Sequence, residues 1–252
     1  MDELTDDAIA GSWRLLQRRR GHRYSLDDVV TAWEAARARP RAKRYLDLGC
    51  GIGSVLLMVA YKLGDAEVVG VEAQDVSFGM ARENVRRNGL DATLIQGDLR
   101  EVRLDGAFDL ITGTPPYLPP ASASPSTDDQ RTYARIEMRG GIEDYVAAAS
   151  RALAPGGVFV ACCDARRPDR AIEGARAAGL APVRQRDVVP RAGKKGALFT
   201  VWTFAHEGEL VVEPPLVARD AGGGRTEIAH ALRAFFDLPV NRDEPASPGK
   251  AR

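Results

Sequence analysis

The chain has 252 residues, with 35 basic and 35 acidic side chains, three cysteines and 44% hydrophobic residues. That composition excludes disorder as the dominant state and leaves room for one sizeable core. The longest unbroken apolar run, Val55 to Tyr61, falls far short of the roughly 20 residues that cross a bilayer, and Asp2, Glu3, Asp6 and Asp7 stand where a secretory signal would be basic, so a cytoplasmic protein that does not meet the membrane is expected.

In chain order, residues 1–20 read as an N-terminal extension. Ser25-Leu26-Asp27-Asp28 then resembles a helix start, with Val29, Val30 and Trp33 on the following face. Short β-branched runs now alternate with helix-period stretches. A strand is predicted at Arg44–Leu48, a helix from about Ser54 to Leu63, a strand at Glu67–Glu72 and a helix at Asp75–Asn88 before Gly89. Strands follow at Ala92–Ile95 and Phe108–Thr112, then a long irregular segment that includes the Pro-, Ser- and Ala-rich stretch Pro119–Ser126. A helix at Ile142–Leu153 closes at Pro155-Gly156-Gly157, a strand occupies Val158–Cys162, and Arg170–Ala178 is helical before Gly179. Arg184–Val189 and Leu198–Phe204 close the series as a β pair. The pattern is α/β, a seven-stranded, mostly parallel sheet with helices on both faces. Residues 206–252 form a C-terminal extension, with a short amphipathic helix carrying Ile228, Leu232, Phe235 and Phe236 and a disordered tail after Leu238.

The segment Asp47-Leu48-Gly49-Cys50-Gly51-Ile52-Gly53 sits where the first sheet strand turns into a helix. Glycines there admit close backbone approach to a ligand. The spacing is GxGxG, not the GxGxxG of a dinucleotide site, and the Asp47 carboxylate would repel a pyrophosphate but could pair with a cationic amino-acid group. Glu72 ends the next strand, where two acceptor oxygens can take both hydroxyls of a ribose. Asp98, after the third strand, can accept from an adenine amino group. Together these acids suit S-adenosylmethionine, which brings a ribose, an adenine and an ammonium group but no phosphate. They argue against a nicotinamide-dependent oxidoreductase on a similar sheet. Cys50, Cys162 and Cys163 show no CxxC spacing, so they read as reduced thiols and no metal site is expected.

Asp47 to Gly53 resembles the first motif of class I S-adenosylmethionine-dependent methyltransferases, and Val68–Glu72, Asp98 and Phe108–Tyr117 are similar to their later motifs in order and spacing. The likeness covers residues 21–205 as the catalytic domain, with a Rossmann-like methyltransferase sheet. Gly21-His22-Arg23-Tyr24-Ser25-Leu26-Asp27, Glu72-Ala73-Gln74, Asn84 to Gly89 and Thr114-Pro115-Pro116-Tyr117 more narrowly resemble the NPPY-type tRNA adenine-N6 methyltransferases that act on a valine tRNA. The resemblance implies a cofactor site of Asp27, Asp47, Gly49, Cys50, Gly51, Gly53, Glu72, Ala73, Asp98 and Leu99. It implies a reaction loop of Thr114, Pro115, Pro116 and Tyr117, and a tRNA partner.

In that loop two prolines remove two N–H donors, so carbonyls are left to accept from an amino group. Tyr117 offers a flat face on which a base can stack. The family has Asn or Asp at the first position, and this chain has Thr114, a shorter β-branched acceptor. Adenine-N6 methylation is the leading expectation, with a protein amide, a small molecule or a weakly active cofactor-binding homologue as alternatives. Arg131, Arg135 and Arg139 would share one helical stripe, and with Arg18-Arg19-Arg20, Arg23, Lys194 and Lys195 they make separate basic segments that nucleic acid could use.

Overall fold

The chain, in a computed structural model that describes residues 3–122 and 128–239, opens on a hairpin. Strands β1 (Leu4–Ala10) and β2 (Trp13–Arg18) are antiparallel, with Ala10 opposite Trp13, so Gly11 and Ser12 alone make the turn. Gly11 takes a positive φ, as a two-residue hairpin turn requires. Leu15 and Gln17 alternate into the interior along β2, and Ile9, Ala10 and Leu15 join the main core. The N-terminal segment is therefore built into the fold.

Helix α1 (Leu26–Ala38) follows, with Ser25 at its N-cap. Then come β3 (Arg44–Leu48), α2 (Ser54–Leu63), β4 (Glu67–Glu72), α3 (Asp75–Arg87), β5 (Ala92–Gln96) and β6 (Phe108–Gly113), within a residue of the expected bounds. A short helix, α4 (Asp129–Arg135), lies in the stretch that looked irregular in sequence, and Asp128 caps it by accepting from the Arg131 N–H. Next are α5 (Ile142–Ala152), β7 (Leu153–Cys163), α6 (Pro168–Ala177), β8 (Ala181–Val189) and β9 (Phe199–Ala205). Pairing begins early on β7 because Leu153 already faces Phe108, before the chain runs through the exposed Pro155 and Gly156. Helix α6 starts two residues ahead of the expected point because Pro168, with its φ preset, fits the first turn.

The seven expected strands are joined by β10 (Val211–Val212) and β11 (Leu216–Val217), both parallel to β8, so the sheet has nine strands. Strands of two residues are too short for any periodicity to announce. The order is β10-β8-β9-β7-β6-β3-β4-β5. Strands β5, β4, β3, β6 and β7 are parallel, and β9 runs antiparallel to both β7 and β8. One face is covered by α1, α2, α3 and α7 (Glu227–Phe235), whose Leu232, with the following Phe236, enters the same core. The other face is covered by α5 and α6. Residues 123–126 of the low-complexity stretch and 240–252 of the tail lie outside the described residues.

After β3 the chain builds β4 and β5 on one side and returns to lay β6 on the other. That reversal opens a crevice at the carboxyl ends of β3 and β6, the place where open α/β sheets hold ligands. No described helix is long and apolar enough to cross a membrane.

Candidate active site

The turn after β3 carries Gly49, Gly51 and Gly53, all at positive φ. A Cβ on Gly49 would lie 2.1 Å from the Tyr145 hydroxyl, so backbone and ring meet directly there. Three of the turn's N–H groups are engaged. Cys50 N donates to Val71 O at 2.9 Å, Gly51 N to Glu72 Oε2 at 2.9 Å, and Gly53 N to Cys50 O at 2.8 Å. Those three donors are withheld from a phosphate.

Above the turn lies a cleft of about 870 Å³. Of the residues expected to hold a cofactor, Gly49, Cys50, Gly51, Glu72, Ala73, Asp98 and Leu99 line it, and Asp27, Asp47 and Gly53 do not. Glu72 stands at the end of β4 and accepts from Gly51 N and, at 2.7 Å, from Gln74 N, which fixes its carboxylate at the cleft wall. Burial pushes its pKa up, against those two N–H groups. Asp98 lines the cleft too, but Arg100 Nε and Nη2 take its two oxygens at 2.9 and 2.6 Å and hold its pKa down. Any adenine amino group at Asp98 must share those oxygens.

Asp47 sits behind the wall. It is 2% exposed, and its Oδ1 accepts from Thr112 Oγ1 at 2.7 Å, in a buried chain with the Tyr45 hydroxyl. Burial raises its pKa to about 7, with the Thr112 hydroxyl and the Leu56 amide opposing. It does not line the cleft, and its Oδ2 has no hydrogen-bond partner among the described residues. Gly53 serves as the left-handed N-cap of α2. The carboxylate that does reach the cleft from this side is Asp28, on α1.

A second cleft, of about 1610 Å³, adjoins the first. Thr114, Pro115, Pro116 and Tyr117 all line it, and so does Asp27, which lies on this side and not in the first cleft. Thr114 and Pro116 belong to both walls, so the loop after β6 forms the partition between the clefts. The Tyr117 hydroxyl donates to Asp27 Oδ2 at 3.1 Å and lies 2.8 Å from Cys162 Sγ. Arg23, Arg131, Arg135 and Arg166 stand around the rim of this cleft. Arg23 is engaged by Asp7 and Arg166 by Asp164. Arg139 is not on the same stripe, because α4 ends at Arg135; its guanidinium lies 4.4 Å from the centre of the Tyr133 ring, and both line the first cleft. Lys194 and Lys195 stay outside, although Ala197 and Leu198, just beyond them, reach the second cleft. Arg18 and Arg19 are tied to Asp128 and Glu3.

Sequence reasoning missed Asp28, His22, Tyr133 and Arg139 as wall residues. His22 is partly buried between the clefts, and burial, its largest influence, lowers its pKa. A cue for Asp28 existed, since its neighbour Asp27 was singled out and two consecutive aspartates at a helix start face different directions. For Tyr133 and Arg139 no local signal existed, because their role depends on how α4 folds over the cleft.

Among the described residues, the first cleft therefore offers the carboxylates of Asp28, Glu72 and Asp98 against the guanidinium of Arg139, with three N–H groups of the glycine turn already taken. That donor set fits a nucleoside that bears positive charge and no phosphate. Among the described residues no cluster of His, Cys, Asp or Glu could hold a metal ion.

Residues 32–166 match the family model described as the methyltransferase small domain. A release factor glutamine methyltransferase of Geobacter sulfurreducens is 38% identical over 138 residues, 52% of this chain and 49% of its own, so the chain spans about half the length of that relative. A tRNA1(Val) (adenine(37)-N6)-methyltransferase of Bacteroides thetaiotaomicron is 31% identical over 194 residues, 73% of this chain and 79% of its own. In fold, the chain is similar to a crystal structure of a predicted O-methyltransferase from Agrobacterium tumefaciens, with a TM-score of 0.62 at 19% identity, covering 86% of this chain and 99% of the other.

Proposed function

The chain belongs to the methyltransferase small domain family, and from that premise we propose that it transfers the methyl group of S-adenosylmethionine to an amino nitrogen of a nucleic-acid base, adenine N6 of a tRNA first. The observation that carries this reading is the partition between the clefts. Thr114 and Pro116 line both, so a donor in the acidic cleft and an acceptor in the basic-rimmed cleft meet across one short loop.

The cofactor, when bound, supplies an electrophilic methyl on a cationic sulfur. Glu72 orients it through the ribose hydroxyls, and Asp98 with Leu99 frames the adenine. On the other side, the carbonyls of the Thr114–Tyr117 loop and the Thr114 hydroxyl accept the hydrogens of the target amine, which keeps its lone pair toward the methyl. Alignment of this kind supplies most of the rate, and no strong general base is demanded. Arg131 and Arg135, for whose guanidinium groups no ion pair is found among the described residues, hold a polyanion at the rim. The relative that spans 73% of this chain acts, by its name, on a tRNA adenine, which favours the same substrate class.

A protein amide is the second reading, favoured by the 38% identity to a glutamine methyltransferase. Incubating the protein with radiolabelled S-adenosylmethionine and, separately, with RNA, protein and metabolite fractions decides between them. Label in tRNA is the expected result, and label confined to protein would replace it. Thr114→Asn restores the family's side-chain acceptor and is expected to raise adenine-N6 transfer; an unchanged or lower rate would mean that the threonine is suited to a different acceptor.

A further inference from the structure

Asp28, the third residue of α1, is 6% exposed, yet it stands in the wall of both clefts. Its Oδ2 accepts from Ser25 N at 2.8 Å and its Oδ1 from the Ser54 hydroxyl at 3.2 Å. Ser54 opens α2 directly after the glycine turn and lines the first cleft. Neither partner carries charge. The charges that press on Asp28 are both negative, Asp27 beside it on α1 and Asp47 on β3, and the titratable side chains of Tyr24 and of Cys162 on β7 face it as well. His22, Glu72, Asp98 and Arg139 lie further around the same cleft. Burial is the largest cause that keeps the Asp28 carboxyl protonated up to about pH 8, with Asp27 adding to it. An acid desolvated in this way without a cation is a costly arrangement, and it sits at an opening that admits one.

We propose that Asp28 receives the ammonium group of the cofactor's amino-acid end, the role expected of Asp47 from its place before the glycine turn. The proposal rests on the S-adenosylmethionine reading of the first cleft. Asp47 accepts from Thr112 through Oδ1, leaves Oδ2 buried without a partner among the described residues and does not line the cleft, whereas Asp28 lines it next to Ser54 and the glycine turn. On docking, an ammonium N–H donates to a carboxylate oxygen of Asp28, the proton that oxygen held leaves to solvent, and the two charges balance within the cleft. The affinity of the site then rises with pH until Asp28 is ionised without help. A cap for α1 is the competing role, since Asp28 accepts from Ser25 N.

Calorimetry of the full chain with S-adenosylhomocysteine, in buffers of different ionisation heat, reads both terms. Close to one proton is expected to be released at pH 7, and affinity is expected to rise about tenfold per pH unit below 8 and level off above it. Asp28→Asn keeps the acceptor for Ser25 N, so it should fold, abolish the proton release and weaken S-adenosylhomocysteine by about tenfold or more. 5′-Methylthioadenosine, which lacks the amino-acid group, should bind variant and wild type alike. A cap alone would shift the melting temperature and leave proton count and both affinities in place, which overturns the proposal. So does equal weakening of both nucleosides, or proton release that survives in Asp28→Asn and disappears in Asp47→Asn. If the wild type binds neither nucleoside, the cofactor reading falls and takes the proposal with it; if it binds both and Asp28→Asn does not separate them, the proposal alone falls.

Discussion

The Tyr117 hydroxyl donates to Asp27 Oδ2 at 3.1 Å, which ties the ring of the reaction loop to the first turn of α1. The loop after β6 and the first turn of α1 are 90 residues apart in sequence, and this bond holds them as two sides of the second cleft. Tyr117→Phe keeps the ring and removes the tie. A loss of about 1 kcal/mol in stability is expected, with S-adenosylhomocysteine affinity unchanged and methyl transfer to the true acceptor reduced. Tyr117→Ala removes the face as well and is expected to abolish transfer while cofactor binding persists. Loss of both together in a binding titration would count against a stacking role.

Glu72 is the acid with the clearest placement for the ribose, because two backbone N–H groups fix it at the cleft wall. Glu72→Ala is expected to weaken S-adenosylhomocysteine by about tenfold or more, read by calorimetry. It also frees the Gly51 N–H. An affinity equal to that of wild type would remove Glu72 from the ribose site.

The parallel strands, their helices and the acid at the end of β4 were legible because each is announced locally, by a β-branched run, an amphipathic period or a glycine turn. The hairpin of β1 and β2 is announced only by its Gly11-Ser12 turn between apolar neighbours, because the buried face of β2 alternates Leu15 with the polar Gln17. The direction of Asp47 was not legible. A strand residue before a glycine turn can face the ligand or the sheet interior, and Thr112 on the neighbouring strand, 65 positions away, decides it. The same holds for Arg100, which claims the oxygens of Asp98.

Gly49 is required twice over, by its φ of +62° and by the 2.1 Å that would separate an added Cβ from the Tyr145 hydroxyl. Gly49→Ala is expected to cost about 2 kcal/mol or more, seen as a lower midpoint in urea. Pairing it with Tyr145→Phe, which removes the clashing oxygen, should return part of that loss, and a double variant no better than Gly49→Ala would show that backbone strain alone is responsible.

Asp47 makes stability depend on pH in a defined direction. Its folded pKa, near 7, lies above the ordinary 3.8, so the native state binds its proton more tightly than the unfolded chain. The stabilisation is whole below pH 4 and is lost as pH rises through 7, at about 1.4 kcal/mol per pH unit. Asp28 extends the same slope to about pH 8. Urea unfolding of the ligand-free protein at pH 5, 7 and 9 should show that decline, and Asp47→Asn should make it shallower below 7, leaving the part that Asp28 contributes. A decline as steep in the variant as in wild type would place its origin elsewhere.

Gln130 on α4 is 2% exposed, although its helix lies over the cleft. Its Oε1 accepts from Arg18 Nη1 at 3.2 Å and from His22 N at 3.3 Å, and its Nε2 donates to Ser77 Oγ on α3 at 3.3 Å. One amide thus rivets the roof of the donor chamber to the hairpin and to the helix beneath. Losing that single amide would therefore unfasten α4 from the hairpin, from His22 and from α3 at one stroke.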